Sequence, residues 1–156
     1  MKPSKRIHLA VLLCVGFLTS VHAQAPAPTG LVVVQSSHSV DETVTRLEQV
    51  LEDNGLTIIA TLDHAENAAS AGLELPPTKL ILFGNPQAGT PLMQQQRTIG
   101  IDLPQKMLVW QDGSAVYVGY NDPVYLAERH GLDAQNEAVT MTAGALANLA
   151  EAAVAP

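Results

Sequence analysis

Two apolar runs, Met107-Leu108-Val109-Trp110 and Val116-Tyr117-Val118-Gly119-Tyr120, flank Asp112-Gly113, and this pairing constrains the fold more than any other feature of the chain. Asp-Gly between β-rich runs is a strong signal for a tight hairpin. A hairpin makes its strands antiparallel, so an all-parallel α/β architecture is excluded for this part of the sheet. Residues along the two arms alternate between faces. Trp110, Tyr117, Tyr120 and the later Tyr125 therefore either enter the core or form an exposed aromatic patch suited to a dimer face or a ligand platform.

Upstream of the hairpin, strand and helix signals alternate. Leu31 to Gln35 is a β-branched run bounded by Gly30 and Ser36-Ser37-His38-Ser39, and reads as a first strand. Ser39-Val40-Asp41-Glu42 is a capping box, opening a helix with Val40, Val44, Leu47, Val50 and Leu51 at helical spacing and Asn54-Gly55 at its stop. His38, in the Ser-rich turn, is expected to face solvent. Leu56, Ile58, Ala60 and Leu62 alternate toward Asp63 as a second strand, and Asp63 caps an Ala-rich helical turn from His64 to Ala71, stopped by Gly72. A third strand spans Lys79 to Phe83 and ends at Gly84-Asn85-Pro86. Thr90-Pro91 predicts a short helix over Leu92 to Thr98.

Beyond the hairpin, Asn121-Asp122-Pro123 caps a helix through His130, and an Ala-rich helix runs from about Asp133 to Ala153. Val139, Ala143, Leu146 and Leu149 form its apolar stripe. The expected architecture is an α+β two-layer sandwich, a mainly antiparallel sheet of about five strands with the two long helices on one face.

The N-terminus has a different character. Lys2, Lys5 and Arg6 precede an apolar run from Ile7 to Val21, followed by Val21-His22-Ala23 with small residues where a signal peptidase reads. The run is shorter than the roughly 20 apolar residues of a membrane span. Residues 1–23 therefore read as a cleavable signal peptide cut after Ala23, residues 24–29 as a short spacer and residues 30–154 as a single domain. Leu13 before Cys14 argues against a lipid anchor, and export to a Gram-negative periplasm is the expected destination.

Cleavage removes 23 of the 156 residues, leaving 133, enough to bury a core. It also removes the only cysteine, which excludes a disulfide framework and thiol chemistry. Losing Lys2, Lys5 and Arg6 takes eight Lys/Arg to five against fifteen Asp/Glu, a balance of −10. The remaining cations, Arg46, Lys79, Arg97, Lys106 and Arg129, stand singly, so the basic footprint of a nucleic-acid binder is missing.

Several segments resemble a known family. Leu62-Asp63-His64-Ala65 with Gly72-Leu73, Leu82-Phe83-Gly84-Asn85-Pro86 with Gly89-Thr90-Pro91-Leu92-Met93, Ile101-Asp102-Leu103-Pro104, Tyr120-Asn121-Asp122-Pro123 and Arg129-His130 follow the order of the bacterial and archaeal family called domain of unknown function 302. The resemblance spans essentially the whole chain after the leader. It implies a compact α+β domain with an antiparallel sheet and carries no catalytic assignment.

Candidate site residues follow from chemistry alone. His64 sits between Asp63 and Glu66, an imidazole among carboxylates that serves either as a base or as a local turn contact. Arg129 and His130 end a helix, where cations complement the dipole, and Arg129 has a planar fork suited to anions. Asp102 offers a carboxylate beside a pocket or a satisfied loop contact, and Asn85 caps a turn. Ligand-binding candidates are thus Asp63, His64, Asn85, Asp102 and Arg129; catalytic candidates are His64, Arg129 and His130. No His or Cys pair has metal-ligand spacing, so neither metal nor cofactor is expected. No nucleophile elbow or P-loop is present. The expectation is a periplasmic module binding a small ligand or a partner protein, with a homodimer among its possible states. The alternative is a small enzyme with His64 as general base and Arg129 as anion contact.

Overall fold

The computed structural model describes residues 29–156. The signal peptide expected at 1–23 and most of the spacer lie outside the described residues.

Five strands, β1 (Leu31–Ser36), β2 (Thr57–Asp63), β3 (Thr78–Gly84), β4 (Gln105–Asp112) and β5 (Ala115–Asn121), form one antiparallel sheet in the order β1-β5-β4-β3-β2. Among the described residues five helices accompany them: α1 (Val40–Asp53), α2 (His64–Ser70), α3 (Pro86–Gln95), α4 (Pro123–Arg129) and α5 (Glu137–Val154). A 3-10 turn spans Arg97–Ile101. The α+β sandwich expected from the sequence is the fold observed.

The central hairpin forms where the sequence places it, with Asp112 opposite Ala115 and Gly113 in the left-handed region at φ 58°. One face of the sheet is covered: α1 lies over β2, β3 and β4, and α5 over β1 and β5. Leu47, Leu51, Ile81, Phe83, Met107, Val109 and Val118 are all at most 1% exposed between the layers. At about 25 cal/mol per Å² of apolar surface, such burial is the main stabilising term.

Capping chemistry sets the helix starts. Ser39 Oγ accepts from the Glu42 N–H at 3.2 Å, as the capping box requires. The Glu42 carboxylate instead meets His38 Nδ1 at 3.0 Å, and His38 Nε2 donates to the Ala155 carbonyl at 2.8 Å. His38 is therefore a tie to the C-terminus, not the solvent-facing residue its Ser-rich turn implies.

Two boundaries differ from expectation. Helix α3 begins at Pro86, not Leu92, because Asn85 Oδ1 accepts from the Gln87 N–H at 2.9 Å and Pro86 follows at the first helical position. This earlier cap wins, and Pro91 falls inside the helix. Likewise α5 starts at Glu137, because Asn136 caps it and Asp133 closes a separate turn onto the Gln135 N–H.

In β2 the alternation breaks. The register shifts between Ile58 and Ala60, with Ile58 opposite Phe83 but Ala60 opposite Leu82. Ile59 is the bulged residue and stands 59% exposed. Ala60 and Leu62 consequently turn to the face away from the helices, so the four apolar positions do not share one face as simple period-two reading implies.

A second, smaller core joins Leu92, Ile99, Ala127 and Val139, with Met93, Leu103, Val124 and Leu132 around them. It ties α3, the 3-10 turn, α4 and the start of α5 together at the end of the sheet where β3 finishes and β4 begins. Among the described residues no helix is long and apolar enough to cross a membrane.

Candidate functional site

Asp102 ends the 3-10 turn and is 9% exposed, a buried carboxylate in need of partners. His130, the C-cap of α4, supplies one: its Nε2 lies 2.6 Å from Asp102 Oδ2. Arg129 supplies another, with Nη1 at 3.2 Å from Asp102 Oδ1. Since a carboxylate only accepts, Nε2 carries a proton, and Nδ1 lies 3.0 Å from the Thr98 hydroxyl. The Asp102 carbonyl accepts from Lys106 Nζ at 2.8 Å.

This cluster fastens α4 to the segment that leads into β4. His130 is enclosed, its side chain 8% exposed, whereas the Arg129 side chain is 54% exposed and keeps guanidinium donors free toward solvent. Thr98, His130 and Asp102 stand in the order of a proton relay. Thr98 is exposed, however, and does not line the cleft that opens beside this segment.

A cleft of about 430 Å³ opens beside the same segment. Its size is that of a small-molecule site. Ile59, Met93, Leu103 and Pro104 give it an apolar wall, and Thr57, Thr90 and Asn85 place polar groups at its edge. The bulge in β2 is what aims Ile59 there. Gly100 and Leu103, two of the lining residues, bracket Asp102 in sequence, so the Asp102–His130–Arg129 cluster braces one wall from behind.

Of the residues singled out from sequence, Asn85, Asp102, Arg129 and His130 gather at this end of the molecule. Asp63 and His64 do not. Asp63 pairs with Lys79 at the start of β3, while Gly84 at its other end pairs with Thr57 in the cleft. A strand of seven residues runs from one end to the other, roughly 20 Å. His64 is half-buried with no hydrogen bond or ion pair to its side chain among the described residues, and no single site contains both His64 and Arg129.

Asp63 has its own duties. Its Oδ1 accepts from the Glu66 N–H at 2.9 Å as the α2 cap, and Oδ2 lies 3.4 Å from Lys79 Nζ, which also meets Asp41 at 2.8 Å. The Glu66 N–H, and then Lys79, hold the Asp63 carboxyl below its ordinary range despite some opposing desolvation. The two carboxylates, Asp41 first, hold the Lys79 ammonium above its usual value. These groups join β2, β3 and α1 structurally. Sequence reasoning missed Ile59, Gly100 and Thr98, because a bulge and an isolated 3-10 turn leave no pattern to read, and Met93, which lies on α3 with no charge or spacing to mark it.

Comparison with known proteins follows the fold. The family model described as "Domain of unknown function DUF302" matches residues 32–149. The crystal structure of an uncharacterized conserved DUF302 protein from Bacillus stearothermophilus superposes with a TM-score of 0.74, at 23% identity, over 80% of this chain and 98% of that one. Proteins named fluoride-specific ion channel FluC 1 from Brucella suis and FluC 2 from Brucella melitensis are each 52% identical over 105 residues, 67% of this chain. The match spans only 41% and 39% of their respective lengths.

Proposed function

This chain belongs to the DUF302 family of domains of unknown function, and from that premise we propose that it is an exported periplasmic module that binds a small, largely apolar ligand. The single observation that carries this reading is the apolar cleft of about 430 Å³ between the end of the sheet, α3 and the Leu103-Pro104 segment. Apolar walls with a few polar groups at the edge are the usual make-up of a ligand site. Thr57, Thr90 and the Asn85 carboxamide orient the ligand's polar end. The exposed donors of Arg129 favour an anionic group on a ligand that reaches beyond the cleft. Asp102 and His130 position the wall; they are not catalytic residues in this reading.

Titration of the isotopically labelled protein with 8-anilinonaphthalene sulfonate, an apolar anion, tests the site. Amide shifts should concentrate at Ile59, Gly84, Thr90 and Gly100, and Ile59→Lys should abolish them. Shifts that spread over the surface and leave these residues still would remove the cleft from consideration.

A second reading concerns partners. The stretch shared with the FluC-named Brucella proteins is less than half of each, so the same kind of domain occurs there alongside a larger remainder. On that basis this module works beside a membrane ion channel in the envelope. Deletion of its gene should then change fluoride tolerance of the host, and unchanged tolerance would reject the channel as its partner.

A further inference from the structure

The sheet has two faces, and the helices cover one. On the other, Leu31 and Val33 of β1 are 47% and 44% exposed, and Leu62 of β2 is 41% exposed. Between these margins lie Leu108, Trp110, Tyr117, Leu80 and Leu82, all half-buried by one another. Trp110 stacks on Tyr117 with ring centroids 5.4 Å apart and lies over Gly119, whose missing side chain lets the indole lie close to the sheet. The result is a broad, flat apolar surface.

We infer that this face is the interface of a homodimer, its occupant a second copy of the same sheet. Two arguments select that occupant. The first is charge. Five Lys/Arg against fifteen Asp/Glu make the domain strongly acidic, so two copies repel over most of their surfaces. The strands place no carboxylate on this face short of Asp112 at the hairpin tip, and its one cation, Lys106, is occupied by the Asp102 carbonyl. It is the surface on which two acidic copies meet without opposing charges. Gln35, Thr78 and Asn121 at its margin give it a polar rim around an apolar centre, as in stable interfaces.

The second argument is area. Five strands about 4.8 Å apart, each six to eight residues long, make a face roughly 19 Å by 20–26 Å in projection. At about 400–500 Å² per partner the pair buries about 800–1,000 Å², the size of a weak, reversible association rather than of an obligate one. Two such faces stacked at about 10 Å bury their side chains between them as in a β-sandwich.

Sedimentation velocity of the leaderless full domain over a micromolar range tests this. The wild type should sediment as a dimer whose association strengthens with added salt, because screening relieves the acidic repulsion while the apolar contact is retained. Leu108→Glu, at the centre of the face, should raise the dissociation constant at least about thirtyfold by burying an unpaired charge. Val33→Glu/Leu62→Glu, on exposed margins that tolerate polar groups, should do the same if Leu108→Glu fails to fold. Circular dichroism should be unchanged in the variant that is scored. A monomeric wild type, a dimer unaffected by folded variants, or a dimer dissolved by salt would each overturn the inference. A salt-insensitive dimer that survives the face variants would place the contact at a strand edge instead.

Discussion

Removing the Asp102 carboxylate should loosen the end of the molecule that bears the cleft, and its magnitude can be worked from the contacts. In Asp102→Ala the Nε2–H of His130, a side chain only 8% exposed, loses its acceptor at 2.6 Å. A buried donor left unsatisfied costs about 1–3 kcal/mol. The Arg129 contact adds little, because a pair in which one side chain is 54% exposed is screened, and such pairs contribute about 0–1 kcal/mol. The two ranges together give an expected loss of about 1–4 kcal/mol, centred near 2.5. With a urea slope of about 1–3 kcal/mol per molar, the unfolding midpoint should fall by about 1 M or more. Asp102→Asn keeps the shape and one acceptor, and should lose roughly half as much. In a double-mutant cycle with His130→Ala, the coupling should be about 0.5–3 kcal/mol. An Asp102→Ala variant within about 0.5 kcal/mol of wild type would refute the brace, since that is the range of an unengaged surface site.

Other perturbations follow from the same structure. Leu47→Ala, at 0% exposure under α1, should cost about 2–5 kcal/mol in urea unfolding. Gly30→Ala combines a left-handed backbone at φ 69° with a Cβ that would run into the Tyr125 ring, so thermal unfolding should show a loss of at least about 2 kcal/mol. The lowered Asp63 carboxyl contributes stability that is present above its unfolded value of about 3.9 and disappears as pH falls through the lower folded value. The raised Lys79 ammonium contributes below its unfolded value of about 10.4 and its contribution disappears as pH rises through the higher folded value. Asp63→Asn should flatten the acid limb of a urea-midpoint profile and Lys79→Met the alkaline limb; unchanged limbs would separate these residues from stability.

Much of the fold was legible because its signals are local. The Asp112-Gly113 hairpin, the Ser39 and Asp122 caps and the stripe of α1 each follow from a few neighbouring residues. The candidate site was legible only in part. Asp102, Arg129 and His130 stood out as charged groups at turns, yet nothing in their spacing says that 27 and 28 residues of chain bring them together. His64 drew attention for its flanking carboxylates, but Asp63 is committed to capping α2 and to Lys79. Ile59 was illegible because a bulge shifts the face on which later residues fall. The start of α3 was misplaced for a related reason: two caps, Asn85-Pro86 and Thr90-Pro91, compete, and local chemistry alone does not rank them.

Native mass spectrometry of the protein recovered from the periplasm tests the central claim most directly. The account predicts a chain beginning at Gln24 that carries an adduct of defined mass, retained by wild type and lost from Ile59→Lys. A protein recovered with the leader intact, or a bare polypeptide whose spectrum the substitution leaves unaltered, would contradict an exported module with a ligand in this cleft.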